Sequence, residues 1–216
     1  QDFEEKKHAR IQIKRRDWDI TDKEFWKQFC IGKELLLKFG VSPIKYFWIN
    51  ETRFKCYSNS YCFDFNGNRK IYCPYETDHK WYSNTNKECI QGYNQLLPEG
   101  EIIFLTSSLK DIMCLAVLGY QSVALQSEMQ MPDEMLIKEL KSRFTRVVIL
   151  YDNDFNSKDN PGQMMAGKIC DEHTLINIYI PTEYQSKDIS DLIKNYGLDV
   201  ANNFIKNSLP HGIFVL

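Results

Sequence analysis

The chain has 216 residues and a formal net charge of −2; 43% of it is hydrophobic, 26% charged and 13% aromatic. Such a composition can bury the core of one large domain or two small ones, which excludes an intrinsically disordered chain. No run approaches the roughly 18 uninterrupted apolar residues that span a bilayer and the first residues carry no signal-peptide core, so an intracellular protein without a membrane partner is expected.

Charge is distributed unevenly. From Lys6 to Arg16 the chain holds six Lys or Arg and no acid, whereas Asp152 to Asp159 holds three Asp against one Lys. A split of this kind suits contact with phosphates in one part and with metal ions in another, although the basic run alone reads equally well as a solvated strand or tail. Seven cysteines (Cys30, Cys56, Cys62, Cys73, Cys89, Cys114 and Cys170) include no CxxC pair, which argues against a disulfide framework or a zinc ribbon and for free, mostly buried thiols.

After the basic run, DWDITDKEFWKQFC predicts a short helix capped by Thr21 or Asp22, with Phe25, Trp26 and Phe29 on its apolar side. Gly32 breaks it, and a second helix bearing Leu35, Leu36 and Phe39 ends at Gly40. From Val41 to about Leu97 the runs KYFWI, YCFDF, KIYCPY and KWYSN alternate with turn signals such as Asn66-Gly67, the pattern of a small antiparallel β region. Pro98-Glu99-Gly100 is the expected boundary between a smaller α+β subdomain, 1–98, and a second domain, 99–216.

Beyond that boundary the rhythm changes to strand, helix, strand. Glu101 to Leu105 predicts a buried strand, followed by a helix that Ser107 or Ser108 caps and Gly119 ends; Ser122 to Leu125 is a second strand, and Asp133 to Phe144 a helix. Arg146 to Tyr151 is a third strand running straight into Asp152; a helix from about Gly162 to His173, a strand at Ile176 to Ile180 and a helix after Lys187 complete the pattern. Continuous apolar strands alternating with helices predict an α/β domain with a mainly parallel sheet flanked by helices.

Ligands in open parallel sheets lie beyond the carboxyl ends of the strands. Asp152 and Asp154 follow the third strand, Asp188 and Asp191 the fourth, and Asp111 lies one helical turn beyond the first. Aspartates gathered there can hold Mg²⁺, which favours oxygen ligands and keeps water and phosphate in its shell. Each cluster taken singly also has an ordinary structural reading: Asp-Asn-Asp is good turn chemistry, and Asp188 or Asp191 can cap the last helix.

The runs IIFLTSSLKDIMCLAVLGY, VVILYDND and KDISDLI resemble, in that order, the three motifs of TOPRIM domains in DnaG-type primases, and KWYSN with IQGYNQLL resembles the basic subdomain that precedes TOPRIM there. The likeness covers about residues 10–200 and is greatest to the DnaG-like primases of tailed bacteriophages. It implies DNA primase activity: joining of ribonucleoside triphosphates on a single-stranded DNA template with Mg²⁺ or Mn²⁺, beside a replicative helicase, in the cytoplasm of a bacterial or phage-infected cell. Asp111, Asp152 and Asp154 correspond to catalytic and metal-binding aspartates, Asp188 and Asp191 to the late acidic group of the metal site. Lys80, Asn84 and Lys110, with the run Lys14, Arg15 and Arg16, are the implied nucleotide- and DNA-binding residues. Zinc is expected only in a domain upstream of this chain, if the protein has one, and the chain carries no GxxxxGK[ST] motor motif.

One departure bears on activity. The family's first-motif glutamate falls on Ser107, whose hydroxyl offers neither the charge nor the basicity of a carboxylate. Glu128, just after the second strand, reads either as a compensating carboxylate or as an ordinary surface glutamate. The departure motivates the alternative function, a degenerate, non-catalytic TOPRIM module that binds single-stranded DNA beside a helicase. Trp18, beside the basic run, reads either as a stacking platform for bases or as a staple onto the core.

Overall fold

The computed structural model of the protein describes residues 9–209, so the basic run is described only from Ala9 onward and Lys6 and Lys7 lie outside the described residues. The chain divides into two compact units, one of the residues up to Lys27 with Gly32–Cys89, the other of Gln28–Ile31 with Ile90 onward. The second unit thus starts before Pro98, because Gln91 bridges to Ala124 by paired backbone hydrogen bonds (2.8 and 3.1 Å) and Ile90, Tyr93 and Leu96 pack on that unit's core.

In the first unit the basic run becomes strand β1 (Ile11–Arg15), antiparallel to the long β2 (Val41–Ile49), with a register shift between Lys14 and Arg15. β3 (Thr52–Lys55) pairs with the second half of β2, while β4 (Tyr61–Phe65), β5 (Asn68–Tyr72) and β6 (Trp81–Ser83) extend an antiparallel sheet from its first half. Asn66 and Gly67, both at positive φ (55° and 96°), make the tight turn between β4 and β5 that the sequence predicts.

The first helix, α1 (Ile20–Lys27), is capped by Asp19 rather than by Thr21 or Asp22: Asp19 Oδ1 accepts the N–H groups of Thr21 (2.8 Å) and Asp22 (3.2 Å). Asp22 has a different use. It is 1% exposed and receives both terminal nitrogens of Arg16 (2.6 and 2.7 Å) and the Tyr61 hydroxyl (2.9 Å). Trp18 stacks on Tyr61 with ring centroids 6.3 Å apart, the staple of the two readings. The second helix, α2 (Lys33–Lys38), ends at Gly40 with φ 68°, where a Cβ would come within 2.8 Å of the Asp64 carbonyl oxygen.

The second unit is built on four parallel strands in the order β10 (Ile176–Asn177), β9 (Phe144–Leu150), β7 (Gly100–Thr106), β8 (Gln121–Ala124). The fourth strand is shorter than its sequence suggests, although Ile178 still donates to the Ile149 carbonyl at 3.0 Å. Helices α3 (Leu109–Val117), α4 (Glu134–Arg143), α5 (Pro161–His173) and α6 (Ile189–Ser208, kinked at Gly197) alternate with these strands. Ile103, Leu105, Val147, Ile149, Leu140 and Ile169 are among the residues of the shared core. No helix among the described residues is long and apolar enough to cross a membrane.

Asp22→Ala would leave the Arg16 guanidinium, 19% exposed at its side chain, with only the more exposed Asp19 as a charged partner. Loss of one partner of a buried pair costs about 3 kcal/mol. Urea unfolding should show that loss in the variant, and an unchanged midpoint would remove the pair from the structural role given it here.

Candidate metal centre

The site lies at the carboxyl edge of the parallel sheet, where four strand-to-helix connections supply its carboxylates. β7 ends at Thr106, and two residues later Ser108 caps α3; its Oγ accepts the Asp111 N–H (3.3 Å) and its hydroxyl donates to Asp111 Oδ2 (2.5 Å). This bond fixes the rotamer of Asp111, which is 1% exposed at the first turn of its helix. On the opposite connection Asp188 caps α6, with Oδ1 accepting the Asp191 N–H (2.7 Å) and the Ser190 hydroxyl (2.5 Å). Capping and membership of the acidic group are therefore compatible uses of one aspartate.

Between them runs the loop after β9. The Asn153 amide is turned inward, its Nδ2 donating to the Ile180 carbonyl (2.8 Å) and its Oδ1 accepting from Asn160 Nδ2 (2.7 Å). Asn160 Oδ1 accepts the Asp154 N–H (2.9 Å), and the Lys187 carbonyl accepts the Asn153 N–H (2.7 Å). Asn153 and Asn160 thereby brace the loop that carries both aspartates. Gly162 completes the brace from below: a Cβ there would lie 2.3 Å from the Asp152 carbonyl oxygen, so no side chain fits between α5 and the loop.

Two groups of carboxylates result. Oxygens of Asp111, Asp152 and Asp188 lie within 4.8 Å of one another, as do oxygens of Glu128, Asp152 and Asp154. Asp152 belongs to both. Asp191 joins neither group among the described residues, although it sits beside Asp188 on the same turn. The Lys187 ammonium, which the sequence did not single out, bonds Asp152 Oδ2 and lies 3.8 Å from Asp154 Oδ1.

The electrostatics follow from burying like charges together. Desolvation, with Asp188 next, raises the Asp111 pKa to about 7. Desolvation again leads for Asp152, raised to about 8 with Asp188, Asp111 and Glu128 adding repulsion that Lys187 only partly offsets. Burial and Asp188 raise Asp191 as well. For Lys187 burial disfavours the charge, but Asp152, Asp188 and Asp154 outweigh it and the pKa rises.

A divalent cation fits this donor set. Oδ1 of Asp111 and Oδ1 of Asp152 are buried and accept no hydrogen bond, an arrangement that costs free energy unless something positive or donating reaches them. All the groups are hard oxygen donors, the type preferred by Mg²⁺ and Mn²⁺.

The remaining sequence candidates are dispersed. Lys110 lies over the Phe29 ring (4.9 Å from its centroid) and eases the charge on Asp111. In the first unit Lys14 and Arg15 are exposed on β1, but Arg16, expected to contact phosphate with them, has its guanidinium bound by Asp22. Lys80 is exposed immediately before β6, whereas the Asn84 side-chain oxygen accepts the Arg69 N–H (2.6 Å) and prolongs the β5–β6 ladder. Beside Lys80, Trp81 is 39% exposed and stacks on Tyr72 at 4.3 Å, with Lys70 5.0 Å above its ring; burial lowers the Lys70 pKa to about 8.

Asp111 and Asp152 keep their protons to higher pH when folded than when unfolded, so between about pH 4 and pH 8 the folded state binds more protons and stability falls as pH rises. Without divalent ions, Tm should therefore drop across that window, and adding Mn²⁺ near pH 8 should restore it. A Tm that stays level with pH would contradict the burial of these carboxylates together.

No protein-family model and no curated protein matches the chain. Solved structures do. A DnaG catalytic core superposes with a TM-score of 0.65 at 13% identity over 88% of this chain and 74% of its own. A DnaG primase catalytic domain bound to single-stranded DNA gives 0.63 at 14% over the same shares. The bacteriophage T7 lagging-strand complex, in which primase domains of two gp4 subunits are bound to an RNA/DNA hybrid and dTTP, gives 0.54 at 14% over 93% of this chain and 94% of that one. Agreement in fold across both units, with the aspartates at the carboxyl edge of the parallel sheet, means that the chain has the fold of a DnaG-type primase catalytic core.

Proposed function

We propose that the chain is the catalytic core of a DNA primase, with a TOPRIM domain that joins ribonucleotides on a single-stranded DNA template. The observation that carries this reading is the convergence of Asp111, Asp152 and Asp188 at the sheet edge, with two buried carboxylate oxygens left without partners. Asp111, Asp152, Asp154 and Asp188 would hold Mg²⁺ or Mn²⁺. Bound there, the cations would neutralise the triphosphate and the charge that develops on it.

The protein's own groups then have distinct tasks. In the reaction the primer 3′-hydroxyl loses its proton to water and its oxygen bonds to the α-phosphorus as the bond to pyrophosphate breaks and pyrophosphate leaves. Lys187 balances part of the charge on Asp152 and Asp154, and Ser108 and Ser190 hold Asp111 and Asp188 in their rotamers. Lys80 is the exposed cation assigned to nucleotide or template phosphate, with Lys14 and Arg15 as further phosphate contacts. Trp81, partly exposed beside Lys80, is the aromatic side chain assigned to contact a base. Template DNA, ribonucleoside triphosphates and a replicative helicase are the corresponding partners.

The non-catalytic reading keeps two observations in its favour: Ser107 stands where a carboxylate is expected, and Lys187 already contacts the Asp152 and Asp154 pair. It predicts single-stranded DNA binding that weakens with salt and no synthesis. Extension of a short RNA annealed to a single-stranded template bypasses initiation and separates the two. With Mg²⁺ or Mn²⁺ the protein should extend it, and Asp152→Asn should reduce the rate at least about 100-fold. Undiminished extension by that variant would refute the assignment. Lys80→Ala should chiefly weaken template or nucleotide binding and lower the salt dependence of binding by about one phosphate contact, as read from affinity against salt concentration.

A further inference from the structure

β7 ends in Thr106, and the next side chain, Ser107, reaches two neighbours at once. Its hydroxyl donates to Glu128 Oε1 and its oxygen accepts the Asp152 N–H at 3.2 Å. The same N–H lies 3.2 Å from Glu128 Oε1, so the glutamate is tied to the start of the aspartate loop from two directions. Glu128 itself stands at the first corner of a β-turn after β8. That turn is closed by Gln130 N–H donating to the Ser127 carbonyl (3.1 Å) and tightened by Met129 N–H donating to Ser127 Oγ (3.2 Å). A solvated surface glutamate would have none of these ties. This one is half-buried and held with an oxygen within 4.8 Å of oxygens of both Asp152 and Asp154.

An acidic cluster alone would not distinguish a ligand from a crowded turn. The distinguishing feature is Asp152, 7% exposed, which belongs to this cluster and has a buried Oδ1 without a hydrogen-bond partner although Oδ2 is bound by Lys187. One ammonium does not balance three carboxylates, and carboxylates held so close favour a cation among them.

We infer that Glu128 is a ligand of a divalent cation together with Asp152 and Asp154, and that Ser107 is its positioning residue: the carboxylate is delivered from the turn after β8 rather than from the end of β7. The inference rests on the metal-dependent reading of the same site, and it assigns Ser107 a use that does not require it to replace a carboxylate itself.

The test is Mn²⁺ titration by calorimetry of the whole chain, with far-UV circular dichroism to verify folding of each variant. Glu128→Gln should weaken Mn²⁺ binding about tenfold or more, and Ser107→Ala should weaken it less, as expected for a residue that orients a ligand. Adding Ser107→Glu to Glu128→Gln returns a carboxylate from the end of β7 and should recover affinity. Wild-type affinity and stoichiometry in Glu128→Gln, with binding lost in Asp152→Asn, would overturn the role of Glu128 and leave the aspartate site standing. Wild-type binding in both variants would overturn the aspartate site as well.

Discussion

Asp111, Asp152 and Asp188 are withdrawn from water with their oxygens within 4.8 Å of one another, and like charges that close repel. Much of the second unit can be understood as the means of tolerating that arrangement. Asp111 and Asp188 sit at the amino-terminal ends of α3 and α6, where backbone N–H groups and the helix dipole favour negative charge. Asp152 lacks a helix of its own and instead has Lys187. The compensation is incomplete, as the raised pKa values of Asp111 and Asp152 indicate. A folded chain that stores unfavourable electrostatics in a fixed place is prepared for a cation, because binding relieves repulsion that has already been built in.

The sheet makes this geometry available at low cost. In a parallel sheet all strands end at the same edge, so residues far apart in sequence leave the sheet side by side: β7 delivers the connection to Asp111, and β9 delivers Asp152. What the sheet cannot do is fix the loop conformations. That falls to Asn153 and Asn160, which satisfy neighbouring backbone groups, and to Gly162, whose missing side chain admits the Asp152 carbonyl.

The first unit meets a similar problem with a different solution. Asp22 is as buried as Asp111, yet it is fully engaged, by the Arg16 fork and by Tyr61. A buried carboxylate with a bidentate partner is architecture, and one with an oxygen left without a partner invites a ligand. That contrast separates the two aspartates more sharply than burial does.

Periodicity and punctuation in the sequence were enough to determine the α/β alternation, the antiparallel region before it, and the placement of Asp111, Asp152, Asp154 and Asp188 at strand ends, because these depend on local pattern and on one general property of parallel sheets. Side-chain partnerships were decided only by the tertiary structure. Arg16 reads as one more cation in a basic run until the fold brings Asp22 to it, Asp19 caps α1 in place of its neighbours, and Lys187 becomes a counter-ion only when the segment before α6 is tied to the loop after β9. Ser107 and Glu128 show the limit most clearly. They are separated by a helix and a strand, and no spacing rule links them; the pairing of β7 with β8 and a tight turn after β8 bring the hydroxyl and the carboxylate together. A chain's pattern specifies which edge of a sheet a residue leaves from, but which groups meet there depends on packing and turn geometry summed over the whole unit.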